Sequence, residues 1–385
     1  MLVARKIALI AMAGTLGGCM ESPAFLKKSE EAPVEVASRD SNFVQSSEEQ
    51  QSEIIATLLA RHSLLKPGTP LDEVATAALS ASARVAEAEL RSAKLRAEAK
   101  SKNWLPTLGP SVSLSSLGDL VAGILIEQVL FDNGHRKAER AFAAADVEVA
   151  AVNLSIDMNE RVYSALSLYL YGLRADEKAR LNARALTRMR EFERIVIGRV
   201  EGGVSDRADR RVVEGKIRDV NSAAASALEA ASTARAELKA MTGRTFDAPE
   251  GLLELNTIHE RFVALSVLRA EAEATRTIAQ ATMERAGTLP SLTASASVTG
   301  SGTSGGLNLG TSQGIGFGTP AQLRAIEASK ETASRRIAQE QETADRSYTR
   351  LMQRLASFRR QEAEAADLAR ASRETFTLFE RQFEA

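Results

Sequence analysis

The sequence predicts a mainly α-helical chain with a small β part, built as two repeats of helix, strand, strand and very long helix. Three observations predict it. From His135 to Val200 the chain runs without proline and with one glycine before Gly198, which at 1.5 Å per residue is a helix on the order of 100 Å long. Two short stretches ahead of such helices alternate apolar and small polar residues with a period of two, as strands do. Landmarks of the first half also recur in the second at one spacing. The composition agrees: aromatic residues make up 4 % of the chain, while Ala, Glu, Arg and Leu dominate, as in long helices rather than a compact enzyme core.

The elements follow in order. Ser52 to Leu65 reads as a short helix ended by Lys66-Pro67-Gly68. Thr69-Pro70, with Asp72 and Glu73 in the first turn, starts a second helix. It runs to about Lys102, and Pro106 stops it. Val112 and Leu114 alternate with Ser111, Ser113 and Ser115, a strand. Leu117-Gly118-Asp119 is a turn, Val121 to Phe131 is a second strand, and Asp132-Asn133-Gly134 ends it. The long helix then runs to Gly202-Gly203, and a return helix runs from Asp206 to Met241. SLTASASVTG from Ser291, a Gly/Ser turn and GLNLGTSQGIGFG from Gly306 form another strand pair. After Gly318 a helix opened by Pro320 continues to the end.

The repeat is explicit. Leu105-Pro106 returns as Leu289-Pro290 and Gly134 as Gly318, so 290 − 106 and 318 − 134 both give 184. RVYSALSLYL from Arg161 is echoed by RSYTRLMQRL from Arg346, and 346 − 161 is 185. The first repeat is assigned to 51–250 and the second to 251–385. The second is expected to be incomplete: Phe383-Glu384-Ala385 stands where the counterpart of Glu201 to Met241 should begin.

Four strands of about ten residues with small apolar side chains suit a membrane barrel. An open sheet edge cannot sit in lipid, because its N–H and C=O groups would be unpaired. Barrels need at least about eight strands, so several chains must share one.

Ahead of the repeats, Arg5 and Lys6 precede the short apolar run Ile7 to Ala13, the shape of a secretory signal peptide over 1–18. The lone cysteine follows at position 19, where neither a disulfide nor a cysteine metal cluster is open to it. Leu16-Gly17-Gly18-Cys19 resembles a bacterial lipobox, which implies a lipid on Cys19. Met20 in place of an aspartate then favours the outer membrane of a Gram-negative cell. Residues 19–50 are polar and mixed, a flexible tether.

The order of elements resembles the TolC-type outer-membrane efflux proteins. The residues that carry the likeness are LDEVATAAL from Leu71, the QVLFDNGHRKAERA junction from Gln128 to Ala141, and RVEGGVS from Arg199 to Ser205. The resemblance implies a homotrimer with a twelve-stranded barrel and an α-barrel tunnel across the periplasm. It would be a passive exit duct for efflux or type I secretion, joined by a periplasmic adaptor to an inner-membrane pump or ABC exporter. Gly202, Gly203, Val204 and Ser205 would form the turn where the adaptor docks, with Ser205 or Asp206 as the N-cap and Asp206 and Asp209 at capping-box spacing. Asp132 and Gly134, and in the second repeat Gly318 and Pro320, would mark the strand–helix junctions.

Other chemistry finds little support. Lys+Arg 49 against Asp+Glu 50 leaves no basic excess for nucleic acid. Gly300 to Gly305 matches GxGxxG, yet a strand follows where a dinucleotide site needs a helix, so it reads as a hairpin turn. The GxSxG match at Gly302 to Gly306 has all three histidines, His62, His135 and His259, before it, which excludes a nucleophile elbow. Those histidines lack companions at ligand spacing. No enzyme, cofactor or metal is expected. The rival reading is a lipid-anchored periplasmic coiled-coil adaptor or scaffold without a pore. It would carry one long hairpin, whereas here two strand pairs each feed a long helix.

Overall fold

The computed structural model describes residues 52–81, 85–114, 120–247, 262–300, 302–311 and 316–384. Signal segment, Cys19, tether and the Leu117-Gly118-Asp119 turn lie outside the described residues. The helices are α1 (Glu53–Leu59), α2 (Pro70–Ser80), α3 (Val85–Ser101), α4 (His135–Glu201), α5 (Arg207–Thr242), α6 (Leu265–Gly287) and α7 (Thr319–Glu384). The strands are β1 (Thr107–Leu114), β2 (Leu120–Phe131), β3 (Ser291–Thr299) and β4 (Gly302–Gly310). Starts in the two repeats keep one spacing: 291 − 107 for β1 and β3 and 319 − 135 for α4 and α7 both give 184.

Three boundaries differ from the expectation. The first helix ends at Leu59, not Leu65, with the Ala60 N–H bonded to Ala56 O. The helix expected from Pro70 to about Lys102 ends first at Ser80, where the Ala81 N–H bonds to Ala77 O, and resumes as α3. A run of small residues offers the eye no break there, since alanine favours continuation. The stretch expected as a Gly/Ser turn is largely strand: β4 begins at Gly302, and Thr299 pairs with Gly302 across a two-residue link. Its glycines lowered the apparent β-propensity, but pairing with β3 outweighs propensity at such positions.

The sheet is antiparallel in the order β1-β2-β3-β4, and its register sorts the side chains cleanly. Leu108, Pro110 and Val112 pair with Ile126, Ile124 and Ala122. Ile124 and Ile126 pair with Val298 and Ala296, and Ala294 and Leu292 with Leu307 and Leu309. All of these share one face, because successive residues of a strand point to opposite sides. The other face carries Ser111, Leu125, Glu127, Thr293, Ser295, Ser297, Ser304 and Asn308. There, the Ser297 and Ser304 hydroxyls lie 2.8 Å apart, and Asn308 Nδ2 donates to Ser295 Oγ at 3.1 Å. On this face a Cβ at Gly123 would lie 2.6 Å from Val298 O and 2.8 Å from Thr299 Cγ2, so only glycine lets β2 and β3 approach this closely.

Each strand continues into a helix, and the lateral order is kept: α3 packs on α4, α4 on α6, and α6 on α7. The result is one wall, four strands at one end and four helices at the other. Asp146 on α4 binds both neighbours, Arg96 of α3 at 3.7 Å and Arg276 of α6 at 3.3 Å. Farther from the sheet α5 returns along α4. Its buried Ala224, Ala227, Ala231, Ala234 and Leu238 step by three and four residues, a coiled-coil seam of small side chains. Gly172 of α4 faces Ala234 across that seam.

The core where α2 meets this pair comprises Leu71, Val74, Ala78, Ala165, Tyr169 and Leu238. Arg161 of α4 closes it, donating from Nε to Ala78 O at 2.6 Å and from Nη2 to Met241 O at 2.8 Å. Both carbonyls belong to the last turns of helices, α2 and α5, whose negative dipole ends favour a cation. By contrast, α7 from about residue 341 is exposed, with Tyr348, Leu351, Met352, Leu355 and Phe358 at helical spacing along it.

Candidate functional site

The predicted site residues lie at the strand–helix junctions and at the far end of α4. The first junction is the root of the β1–β2 hairpin. Asp132-Asn133-Gly134 turns the end of β2 into α4. Asn133 and Gly134 both take left-handed backbone (φ 53° and 84°), and the His135 N–H donates to Asp132 O at 3.0 Å. Two consecutive positive φ values define a type I′ turn, for which Asn-Gly is the favoured pair. Asp132 does the capping from two residues before the nominal cap: its Oδ1 accepts from the Gly134 N–H at 3.0 Å and its Oδ2 from the Arg136 N–H at 2.8 Å. Asn133 Nδ2 reaches Pro290 O at 2.7 Å and so joins the two repeats.

Beside this turn lies a polar clasp that the sequence reading missed. Asn103 Nδ2 donates to Arg136 O at 3.1 Å and to Glu139 Oε2 at 2.8 Å, while Arg140 Nη1 donates to Asn103 Oδ1 at 2.7 Å. Arg136 also donates to Asn103 O. Lys100 Nζ meets Glu139 Oε1 at 3.1 Å. The clasp fastens the end of α3 to the first turn of α4, on either side of the hairpin. Burial raises the Glu139 pKa, but the bonds from Asn103 and Lys100, with the charges of Lys100 and His135, outweigh it and hold the carboxyl below its ordinary value. A depressed carboxylate stabilises the fold fully above its unfolded pKa and loses that contribution as pH falls through the folded one. Glu139→Gln is therefore expected to lower the melting temperature at pH 7, with the gap from wild type closing below about pH 4. Melting curves at both pH values check this; a gap that persists in acid would show the clasp to work without the charge.

The second junction keeps the position of the first but not its chemistry. Gly318 precedes α7 and its carbonyl accepts from the Ala321 and Gln322 N–H groups at 3.0 Å. Unlike Gly134 it has no positive φ. Pro320 stands in the first helical turn, where a missing N–H costs nothing. The link between helices here is Arg285 of α6 with Glu327 of α7 at 3.2 Å.

The other place is the far end of α4. Val204 N–H bonds to Arg199 O at 2.8 Å and Gly203 N–H to Val200 O at 3.1 Å, with Gly203 at φ 72°. This is a Schellman stop, which needs a left-handed residue at the Gly203 position. Asp206 takes the N-cap backbone conformation of α5 rather than Ser205, but its side chain makes no capping bond. The expected capping box is thus absent: the Asp209 N–H bonds to Asp206 O instead, at 3.1 Å. Val204 is 70 % and Val212 63 % exposed at this tip. Arg188, Arg190, Arg207 and Arg211 make no ion pair among the described residues.

His62 packs edge-on to Phe262 at 5.3 Å, and His135 is the first residue of α4; His259 lies outside the described residues. Among the described residues no helix is long and apolar enough to cross a membrane.

No family model matches the chain. No curated protein matches it either. Solved structures do. A membrane protein from Pseudomonas aeruginosa matches with a TM-score of 0.71 at 16 % identity, over 82 % of this chain and 84 % of that one. CusC, studied for transmembrane channel formation, gives 0.56 at 15 % identity over 71 % and 73 %. The outer membrane protein VceC from Vibrio cholerae gives 0.55 at 16 % identity over 71 % and 76 %. CusC and VceC are TolC-family channels. At these identities the likeness is one of fold: the chain has the mainly helical, small-sheet fold of TolC-type proteins.

Proposed function

We propose that the chain belongs to the TolC-type outer-membrane efflux family and serves as the passive exit duct of an efflux or type I secretion system. One observation carries this reading. A four-stranded sheet with an apolar face, a polar face and two unpaired edges, β1 and β4, continues directly into helices on the order of 100 Å long. The strands hold 8, 12, 9 and 9 residues, about the 9–11 that a tilted transmembrane strand uses. Such edges cannot remain open in lipid. Three copies joined β4 to β1 make a closed twelve-stranded barrel, with the apolar face outward and the polar face around the lumen. The exposed stripe of α7 calls for helical partners in the same way.

In this reading Gly202 to Asp209 form the periplasmic tip. Val204 and Arg207 in it, with Val212 and Arg211 of the first turns of α5, offer the adaptor a contact surface, and the adaptor links the duct to an inner-membrane pump or ABC exporter. Lipid on Cys19 would add an anchor to the barrel. A poreless adaptor would not need a sheet with opposed apolar and polar faces.

The test is cross-linking in native outer membranes followed by electrophoresis without heating. A trimer band is the expected result. A monomer would mean that four strands close no barrel, and the anchored coiled-coil alternative would take its place.

A further inference from the structure

Of all residues in the four strands, Glu127 alone carries a charge. Register places it between Thr107 and Ser295, on the hydroxyl-rich face and not the apolar one. Its side chain is exposed, and its carboxylate has no hydrogen bond or ion pair among the described residues. It overlooks a cleft of about 330 Å³ where the sheet meets the helices, shared with Asp132, His135, Arg136 and Glu139.

The other charged groups there are engaged. Asp132 caps α4, Arg136 holds the Asn103 carbonyl, and Glu139 is paired with Lys100. Glu127 is the acid there whose carboxylate has no bonded partner among the described residues and faces solvent. It stands four residues before the end of β2, so in the assembled duct it lies where the barrel opens into the helical tunnel. The rest of that wall is uncharged: Ser, Thr, Gly and Asn, with Leu125 and Val129 of β2 itself. An isolated charge on such a wall acts on whatever passes, with no neighbouring strand charge to mask it.

We propose that Glu127 sets the charge preference of the conduit. Resting on the channel reading above, three copies form an acidic ring at the barrel–tunnel boundary, which favours cations and cationic cargo over anions. Three unit charges roughly 10 Å from the axis attract a cation as much as they repel an anion, so between Debye-screened and unscreened limits they change the cation-to-anion ratio by about five- to seventyfold.

The full chain, purified as its oligomer and inserted in planar bilayers under a KCl gradient, gives that ratio from the reversal potential. Wild type is expected to prefer K⁺, Glu127→Asp to keep the preference, Glu127→Gln to lower the ratio by about fivefold or more, and Glu127→Lys to reverse it. Glu127→Gln channels that conduct with the wild-type ratio would overturn the ring and leave the duct standing. A wild-type oligomer without conductance would overturn the duct, and the ring with it.

Discussion

Arg161→Ala is expected to destabilise the protein by roughly 3 kcal/mol, the loss of two charge-assisted bonds at helix C-termini. The guanidinium spans two elements at once. It holds Ala78 O of α2 and Met241 O of α5 from its seat on α4, and the carbonyls it leaves would lose their strongest donor. Arg161→Lys should recover only part, because an ammonium cannot fork between two acceptors as a planar guanidinium does. The repeat supplies an internal control. Arg346 stands at the equivalent position of α7, but it is exposed and pairs within its own helix, with Glu342 at 3.7 Å. Arg346→Ala should change stability by no more than about 0.5 kcal/mol. Denaturant unfolding of the three variants beside wild type checks this. Equal effects at 161 and 346 would mean that Arg161 contributes as a surface charge and not as a clamp.

That contrast also shows what the sequence could convey. RVYSALSLYL and RSYTRLMQRL are visibly one motif, and the spacing near 184 located strands and long helices in both halves. What a repeat cannot convey is which copies have partners. Arg161 finds two helix ends; Arg346 finds its own helix. The same holds at the junctions. Gly134 and Gly318 align, yet one is left-handed within an Asn-Gly turn and the other is not. Asn-Gly was itself a readable signal for that turn.

The clasp of Asn103, Arg136, Arg140 and Glu139 was not legible, because its members come from either side of a hairpin and share no spacing rule. Asp206 and Asp209 show the converse. Their spacing suggested a capping box, but the Asp206 side chain makes no capping bond, while the Arg199 carbonyl takes the Val204 and Ser205 N–H groups. Glu127 passed unnoticed as one acid among many. Only the pairing register shows that it lies opposite the apolar face, since a slip of one residue would reverse every assignment.

The faces themselves are testable at two adjacent residues. Leu307, 68 % exposed, pairs with Ala294 on the apolar side, and Asn308 pairs with Thr293 on the polar side. Leu307→Arg would put a charge into lipid at a cost of about 2–4 kcal/mol per chain near the bilayer midplane. Three chains multiply that cost within one barrel, so the variant should lose most of its unheated trimer from outer membranes. Asn308→Arg adds the same charge one residue along, where water in the lumen would solvate it, and its trimer should remain near the wild-type amount. Its channels should also shift toward anions, opposing the three copies of Glu127. Equal loss in both variants would mean that the sheet does not separate lipid from water. Equal tolerance would mean that it does not enter the membrane, since an arginine on the exposed face of a strand in water costs almost nothing.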